Sequence, residues 1–400
     1  MYKYLRFSAS YVLIAITAAG FVLGGHWMWL GIAVAIVGWV GGDLISGDDL
    51  SEPEYHHPAI NDIMLHLVLP VLALGLFVYI WAVSEVDLLG FGSLVHSITG
   101  YDALAARETN TLLDYYGASL GIGLNLAMQG VIVGHELIGR TWDPKAMFTG
   151  RWLFGLSCGM NFVTEHVYGH HHTIATPEDP STGIRGENFY VFTTLRTWQQ
   201  WVHGWGVEKS RLEKMGKSVF NWRNHLLRAN LRSIFMLTLV YLAGGLFAIG
   251  WYLLACVWSK LTLETFNYMA HYGLVREPGK PVRPAHSWNS NSRISAIALF
   301  NLPRHSHHHA DGTVPYQELR AYPNMPTTPT SYLGTSLCCY IPALWNKLMI
   351  PKLLDWDENH ATPAEQAIAA RQNAASGLAE LEESAKRYFS EHPEGAQAAE

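Results

Sequence analysis

Long apolar blocks separated by polar loops dominate the first two thirds of the chain. They cover about residues 8–24, 27–45, 64–83, 115–134 and 233–270. A helix needs about 20 apolar residues to cross the roughly 30 Å hydrocarbon core of a bilayer. The last block contains glycines at 244, 245 and 250 and has room for two crossings, 233–249 and 251–270. The pattern predicts an all-α integral membrane protein with about six transmembrane helices.

The first block follows Lys3 and Arg6 and by itself resembles a signal peptide with a basic leader. A second apolar block begins almost at once, at Trp27, with no cleavage pattern of small residues between the two. This arrangement favours a helical hairpin within the bilayer.

The composition fits a membrane protein with a substantial aqueous part. Hydrophobic residues make up 49% of the 400 residues and charged residues only 15%, against about a quarter charged in a typical globular chain. The formal net charge of −6 provides no basic footprint for nucleic acid. The four cysteines form neither a disulfide framework nor a CxxC zinc pattern.

Histidines concentrate in four short segments. The densest is EHVYGHHH (165–172), and the others are GHELIGR around His135, NYMAHYGL around His271, and RHSHHHA (304–310). In EHVYGHHH, histidines four apart share a helix face and the next residue points about 100° away, so the segment can supply two metal ions. We expect one metal site assembled from all four segments. Imidazole suits iron, copper, zinc or nickel, so ligand type alone does not choose the metal.

The histidine segments constrain the topology. Residues 146–164 are apolar, but a crossing there would place His166 and His135 on opposite sides of the bilayer, where they cannot share one site. We therefore expect this segment to lie at the interface or within the protein body. Twelve lysines and arginines follow His135 before the fifth apolar block, against one in the loop before the fourth. By the positive-inside rule, the histidine-bearing face is cytoplasmic.

Zinc-protease chemistry fits less well. GHELIGR begins like an HExxH helix, but Gly139 stands where the second histidine is required. An imidazole-ringed site at the mouth of a helix bundle, under an apolar cavity, instead favours iron for dioxygen activation and an apolar substrate dissolved in the lipid.

Five motifs occur in order: GHEL, EHxxGHHxxxATPEDP (165–180), NYxxHYGL (267–274), HSWNSN (286–291) and RHSxHHA (304–310). This set closely resembles the membrane-bound alkane 1-monooxygenases, relatives of the xylene- and cymene-type methyl monooxygenases and of membrane fatty acid desaturases. The resemblance implies a membrane desaturase/hydroxylase-like fold in a bacterial inner membrane. It also implies two non-haem iron ions, with these ligands: His135, His166, His170, His171, His271, His305, His308 and His309.

The activity implied by the resemblance is hydroxylation of a terminal methyl group of an alkane or similar alkyl substrate taken from the bilayer. It uses dioxygen as co-substrate and two electrons from a rubredoxin or a ferredoxin-type reductase. Alternatives are an aryl-methyl hydroxylase, an acyl-lipid desaturase, and a non-catalytic metal-binding membrane protein, the last motivated only by Gly139.

The chain departs from the family pattern at two positions. Gly139 replaces the second histidine of the first motif, so the position is either open or filled by a spare histidine, for which the candidates are His172, His307 and His286. Ala270 stands where a carboxylate is common, which removes a possible partner for a ligand imidazole.

Two carboxylates, Glu136 and Glu165, directly adjoin predicted ligands. Both are candidate catalytic residues that orient imidazole N–H groups or deliver protons, with helix-surface charge as the alternative. Glu178 and Asp179, between Pro177 and Pro180, have the pattern of a rigid turn with a polar lock.

The domain organisation follows from these patterns. Residues 1–354 form one hydroxylase domain with cytoplasmic histidine-bearing regions at 135–232 and 271–354. The remainder, 355–400, is rich in alanine and glutamate, and its capping box at Thr362 predicts a helix over 363–389. We expect this segment to be a solvated cytoplasmic tail.

Overall fold

The computed structural model describes residues 2–159 and 161–393. Within these ranges the chain is helical, and its only strand-like pairings are two isolated bridges, Asp48 to Ser292 and Asn289 to Thr327. The predicted all-α architecture is therefore confirmed. Merging segments that continue one another, the helices are α1 Lys3–Leu23, α2 Gly25–Ser46, α3 Pro58–Ala82, α4 Phe91–Thr99, α5 Ala103–Glu108, α6 Leu112–Gly139, α7 Pro144–Gly155, α8 162–173, α9 189–214, α10 His225–His271, α11 Arg293–Ala298, α12 His305–Ala310, α13 Tyr332–Cys338, α14 Pro342–Asn359, α15 Pro363–Ala374 and α16 Ala379–Glu391.

Five of these helices, α1, α2, α3, α6 and α10, are long and apolar enough to cross a membrane. The shortest has 21 residues, which at about 1.5 Å per residue matches the hydrocarbon core. Helices α1 and α2 form the predicted hairpin. Its turn uses Gly24 and Gly25, both at positive φ (69° and 53°), and a Cβ at Gly24 would lie 2.8 Å from the carbonyl oxygen of Ala106.

Helix α10 is interrupted at Gly244 (φ −150°, ψ 17°) and Gly245 (φ 64°, ψ −156°). Gly244 lies against Ser84, which follows the end of α3, whereas Phe235 packs on Trp152 of α7, with ring centroids 5.9 Å apart. The first half of α10 therefore runs away from α7, and the second half returns to His271. The reversal lies at 244–245 rather than at the predicted 249–251, because Gly245 accepts the left-handed backbone conformation that the turn requires.

Helix α7 lies in the apolar segment 146–164, which we predicted not to cross the membrane. It has 12 residues, about 18 Å, which is too short to span the bilayer. Asp143 caps its first turn and Pro144 is its first residue. It packs closely on α6, since a Cβ at Gly150 would lie 3.0 Å from the carbonyl oxygen of Gly134. The segment packs on the protein body with Phe148 left exposed, and its contact with Gly134 supports the turn of α6 that carries His135.

The three C-terminal helices pack against the body of the protein. The guanidinium of Arg185 donates to both carboxylate oxygens of Asp357 at 2.6 Å, and Trp356 Nε1 donates to the carbonyl oxygen of Ala285 at 2.7 Å. The predicted capping box at Thr362 is present, but Glu365 within it is only 2% exposed. From residue 355 onward the described helices pack on the preceding domain instead of forming the expected solvated tail, because Asp357 and Glu365 are partners of Arg185 and His286.

Candidate metal centre

The four histidine segments converge at one end of the helix bundle. His135 lies in the last turns of α6 and His271 is the final residue of α10, while the short helices α8 and α12 supply the others. The structure thus brings all eight predicted ligands together, in two neighbouring groups.

The first group consists of His135, His166, His171 and His308, whose candidate ligand atoms all lie within 4.8 Å of one another. The Nε2 atoms of His166 and His171 are 3.0 Å apart. The ring of His135 has its centroid 4.4 Å from that of His166 and 4.6 Å from that of His308. Four imidazoles from three separate elements therefore face a common point.

The second group consists of His170, His271 and His309, again with ligand atoms within 4.8 Å of one another. His305 adjoins it, with Nε2 at 3.2 Å from Nε2 of His271 and at 3.0 Å from Nε2 of His309. This group therefore also offers four imidazoles.

Helix α8 distributes its histidines differently from the sequence expectation. An α-helix would place His166 and His170 on one face, but residues His166–His170 form a π-helical turn. A π-turn aligns residues five apart, so His166 faces the first group together with His171, and His170 turns to the second. The histidines of α8 are divided between two groups, as expected, but His166 shares its group with His171 and not with His170.

Burial keeps most of these imidazoles neutral. It lowers the pKa of His166, His171, His308 and His309 well below the ordinary value, with neighbouring histidines adding to the effect, and it lowers the pKa of His305 to about 3. A neutral imidazole has a free lone pair, which a metal ligand requires.

Several buried ring nitrogens have no hydrogen-bond partner among the described residues: His166 Nδ1, His170 Nε2, His271 Nδ1, His305 Nδ1, His308 Nε2 and His309 Nδ1. Buried polar atoms are rarely left unpaired in proteins. In His166, His271, His305 and His309 it is Nε2 that approaches another histidine, and the unpaired atom is the opposite ring nitrogen. The convergence of the imidazoles, with Nε2 of His170 and of His308 unpaired, fits a metal cation in each group.

Asp179 holds His170 in place. Its Oδ2 lies 2.9 Å from His170 Nδ1, and both side chains are fully buried. Burial alone would lower the pKa of His170, but the Asp179 carboxylate holds that pKa above the ordinary value. With Nδ1–H donating to the carboxylate, Nε2 is left free for a metal, as is common for metal-bound histidines. The rigid turn expected from ATPEDP therefore also orients a ligand, a contact that no spacing rule in the sequence indicates.

The two carboxylates beside the ligands lie in different surroundings. Glu136 Oε1 accepts from Arg140 Nη2 at 2.8 Å, and Arg140 Nη1 donates to Asp62 at 2.7 Å, so Glu136 belongs to an ion-pair network. Glu165 Oε1 is 3.4 Å from His203 Nδ1, and its Oε2 is buried without a partner. Burial raises the pKa of Glu165, although the contact with His203 opposes the rise. Nothing in the sequence around His203 had indicated this pairing.

None of the spare histidines joins either group. His286 is 2.8 Å from Glu365, and His307 Nδ1 accepts from the backbone N–H of Arg320 at 2.8 Å. His172 is exposed and lies on the wall of a cavity of about 320 Å³ that also borders Gly139 and the first group. A Cβ at Gly139 would meet nothing within 4 Å. The missing imidazole therefore leaves an open space beside the first group.

An apolar cavity lies on the membrane side of the centre. It measures about 270 Å³ and is enclosed by α2, α6, α10 and α13, with Trp39, Leu124, Met128, Phe266 and Leu337 among its walls. A smaller chamber of about 30 Å³ lies between Phe266 and the ligand candidates His135, His166 and His305. Phe266 borders both spaces.

Comparison with known proteins agrees with the sequence motifs. Residues 113–334 match the family model described as fatty acid desaturase. The chain is 32% identical to alkane 1-monooxygenase 1 of Alcanivorax borkumensis, over 82% of this chain and 77% of that protein. It is 30% identical to the xylene/toluene monooxygenase hydroxylase component XylM of Pseudomonas putida, over 93% and 95% of the two chains. With the alkane 1-monooxygenase of Pseudomonas putida the identity is 36%, and the match spans 60% of each protein.

Proposed function

Because the chain belongs to the fatty acid desaturase family and is related over most of its length to alkane 1-monooxygenase 1 and to XylM, we propose that it is a membrane monooxygenase. The reaction is hydroxylation of a terminal methyl group of an alkane or similar alkyl substrate with dioxygen and two electrons. The observation that carries this proposal is the position of eight converging histidines directly beside an apolar cavity.

We assign two non-haem iron ions to the two histidine groups. His135, His166, His171 and His308 would hold one, and His170, His271, His305 and His309 the other. Bound iron supplies the redox chemistry that activates dioxygen. The protein contributes neutral imidazoles through burial and fixes the orientation of His170 through Asp179.

The apolar spaces account for substrate selection. An alkyl chain from the bilayer would occupy the 270 Å³ cavity and extend its methyl end past Phe266 into the 30 Å³ chamber. Apolar walls exclude water from this path and favour a substrate without polar groups, because each buried CH₂ is stabilised by about 0.8 kcal/mol. Phe266 is 7% exposed and borders both spaces, so its ring would limit the width of a passage between them.

Proton delivery is assigned to Glu165. Its carboxyl group is buried and acts electrostatically on His170, while His203, its partner, has a side chain 29% exposed and so reaches solvent. The pair links the centre with the aqueous side. For Glu136 the contacts with Arg140 and Tyr316 support a positioning role at the end of α6, next to His135.

The direction of the protein in the membrane follows from charge. The basic residues between His135 and α10 favour a cytoplasmic histidine-bearing face, in a bacterial inner membrane. The electron donor would then be a cytoplasmic rubredoxin or ferredoxin-type reductase. The cavity beside Gly139 borders His135 and His308 and is also lined by Glu136, Arg140 and Thr141, and we assign the approach of the donor to this cavity.

The proposal is tested with the purified, iron-loaded protein in lipid nanodiscs, supplied with rubredoxin, its reductase and NADH. A mixture of n-alkanes, p-cymene and p-xylene is offered, and products are identified by gas chromatography. We expect alcohols that carry one oxygen atom from ¹⁸O₂. Alkenes would instead indicate a desaturase, and absence of any product together with zinc or no bound metal would refute the enzyme assignment.

The aryl-methyl hydroxylase remains a second candidate because the match to XylM covers nearly the whole of both chains. Preference for p-xylene or p-cymene over alkanes in the same product mixture would favour it.

A further inference from the structure

Three arginines meet in a narrow cleft beside α8 that has no part in the proposed reaction. Arg151 comes from α7, and Arg228 and Arg232 come from the start of α10, where residues four apart share one helix face. Thr164 and Tyr168 of α8 form the opposite wall. The cleft therefore lies between the first turns of a membrane-crossing helix and the segment that carries His166.

The positive charge in this cleft has no anionic partner in the part of the chain that the structure describes, and Arg232 Nη1 donates to the carbonyl oxygen of Arg228 at 3.3 Å. Among the described residues, none of the three guanidinium groups lies within 4.0 Å of a carboxylate oxygen. Glu208, which adjoins the cleft at His225, is bound to Arg211 at 2.7 Å and accepts from the backbone N–H of His225. Arg228 Nε is buried without a hydrogen-bond partner.

Burial and the nearby charge of Arg228 lower the pKa of Arg151. Three mutually repelling cations, one with a buried unpaired donor, are stabilised by an anion.

An exposed aromatic row continues from the cleft. The Arg232 guanidinium lies 5.9 Å from the ring centroid of Trp152, which in turn packs between Phe148 and Phe235. Phe148 is 60% exposed and Phe235 49%. The site thus joins a cationic end to an exposed apolar strip, and it does so where α10 begins to cross the membrane.

We propose that this cleft binds the phosphate group of an anionic phospholipid, with an acyl chain lying along Phe148 and Phe235. Guanidinium groups pair with phosphate oxygens through two parallel hydrogen bonds. The space inside the cleft is only about 10 Å³, room for about one water molecule. The phosphate is therefore held by the arginine side chains at the mouth, where a lipid headgroup lies. Free phosphate satisfies the charge but leaves the aromatic row exposed.

The test measures lipid binding to the full-length protein in a neutral detergent. Native mass spectrometry counts bound phosphatidylglycerol, and thermal unfolding is followed with phosphatidylglycerol, phosphatidylcholine or inorganic phosphate added. We expect one retained phosphatidylglycerol and a rise in melting temperature that is specific to that lipid. In the variant R151Q/R228Q/R232Q the retained lipid is lost and the rise falls to less than half.

A charge-matched control is K209Q/K214Q/K217Q, which removes three exposed positive charges from α9 and its end and should behave like the wild type. The variant R228K/R232K keeps the charge but not the two-point hydrogen bonding, and we expect about tenfold weaker binding of phosphatidylglycerol. It also serves where the glutamine variant does not fold.

Equal lipid loss in the control and the arginine variant would show general surface attraction and overturn the site. Unchanged lipid binding in both arginine variants would do the same. An equal rise in melting temperature with inorganic phosphate would overturn the assignment to a lipid.

Discussion

Replacing Asp179 by asparagine tests how the second histidine group is held. Asp179 Oδ2 is 2.9 Å from His170 Nδ1 and 2.6 Å from Thr182 Oγ1, while its Oδ1 accepts from the backbone N–H of Ser181 at 3.0 Å. Both carboxylate oxygens are therefore used as acceptors. An amide of the same shape has one acceptor oxygen and no charge, so it cannot satisfy both sides. Either the turn or the orientation of His170 must loosen.

The size of the effect follows from the role of such partners. Loss of a group that orients a metal-bound histidine lowers metal affinity about 10- to 100-fold, or about 1.4 to 2.7 kcal/mol. His170 belongs to the second group only, so the loss should fall on one of the two proposed iron positions. We expect Asp179→Asn to retain about half of its iron under a chelator challenge that leaves the wild type fully loaded.

The assay is iron content by elemental analysis after dialysis against graded chelator, with circular dichroism to verify that the helices are intact. Glu178→Gln is the matched control, because Glu178 is the adjacent carboxylate in the same turn but is exposed. If Asp179→Asn and Glu178→Gln retain iron equally well, the argument that Asp179 positions a ligand is refuted.

Three further changes test other parts of the site and fold. Gly139→His should fold, because a Cβ there meets nothing within 4 Å, and should retain iron at chelator concentrations that strip the wild type; lower iron content in a folded variant would contradict this. Phe266→Ala should join the two apolar spaces more widely and shift the products measured by gas chromatography toward those of bulkier substrates. The Phe266→Ala change should also destabilise the protein by about 3 kcal/mol. Leu337→Ala, at an exposed position of the cavity wall, should leave the product profile unchanged. Burial opposes the charged form of Glu365, but hydrogen bonds from His286 and Thr362 hold its pKa at about 2, below its unfolded value. The stability that the ionised Glu365 contributes is present above about pH 4.5 and is lost as the pH falls toward 2. The difference in melting temperature between the wild type and Glu365→Gln should therefore shrink between pH 4.5 and 2. Above pH 4.5 this difference should stay constant.

The helical bundle could be predicted because it rests on a long-range pattern. In lipid, the backbone N–H and C=O groups of an apolar block of about 20 residues are all hydrogen-bonded only if the block is a helix. The glycine pairs at 24–25 and 244–245 form the turns of the two hairpins. The convergence of the histidines followed from one further constraint, that ligands of one site share a side of the membrane. Helix α7, excluded on this ground, is indeed too short to cross.

The details that escaped prediction depend on local geometry or on distant packing. The π-turn at 166–170 changes which histidines face one another, and nothing in the residue types distinguishes it from an α-turn. The contact between His170 and Asp179 requires the chain to fold back over nine residues. Docking of α14 to α16 depends on Arg185 and His286, which lie far away in sequence. In the alanine-rich helix α15, large apolar side chains are too few to indicate from the sequence which face is buried.

The two cavities give the centre different surroundings on its two sides. His135 and His166 line both the 320 Å³ space beside Gly139 and the 30 Å³ chamber next to Phe266. The larger space is also bordered by Glu136, Arg140 and Thr141, whereas the chamber is bordered mainly by apolar side chains. A proton or electron donor needs polar surroundings, whereas an alkyl chain is stabilised by apolar ones. With glycine at position 139, the larger space reaches the first histidine group without passing Phe266. Glycine at position 139 thus leaves open the side of this group that Glu136, Arg140 and Thr141 border.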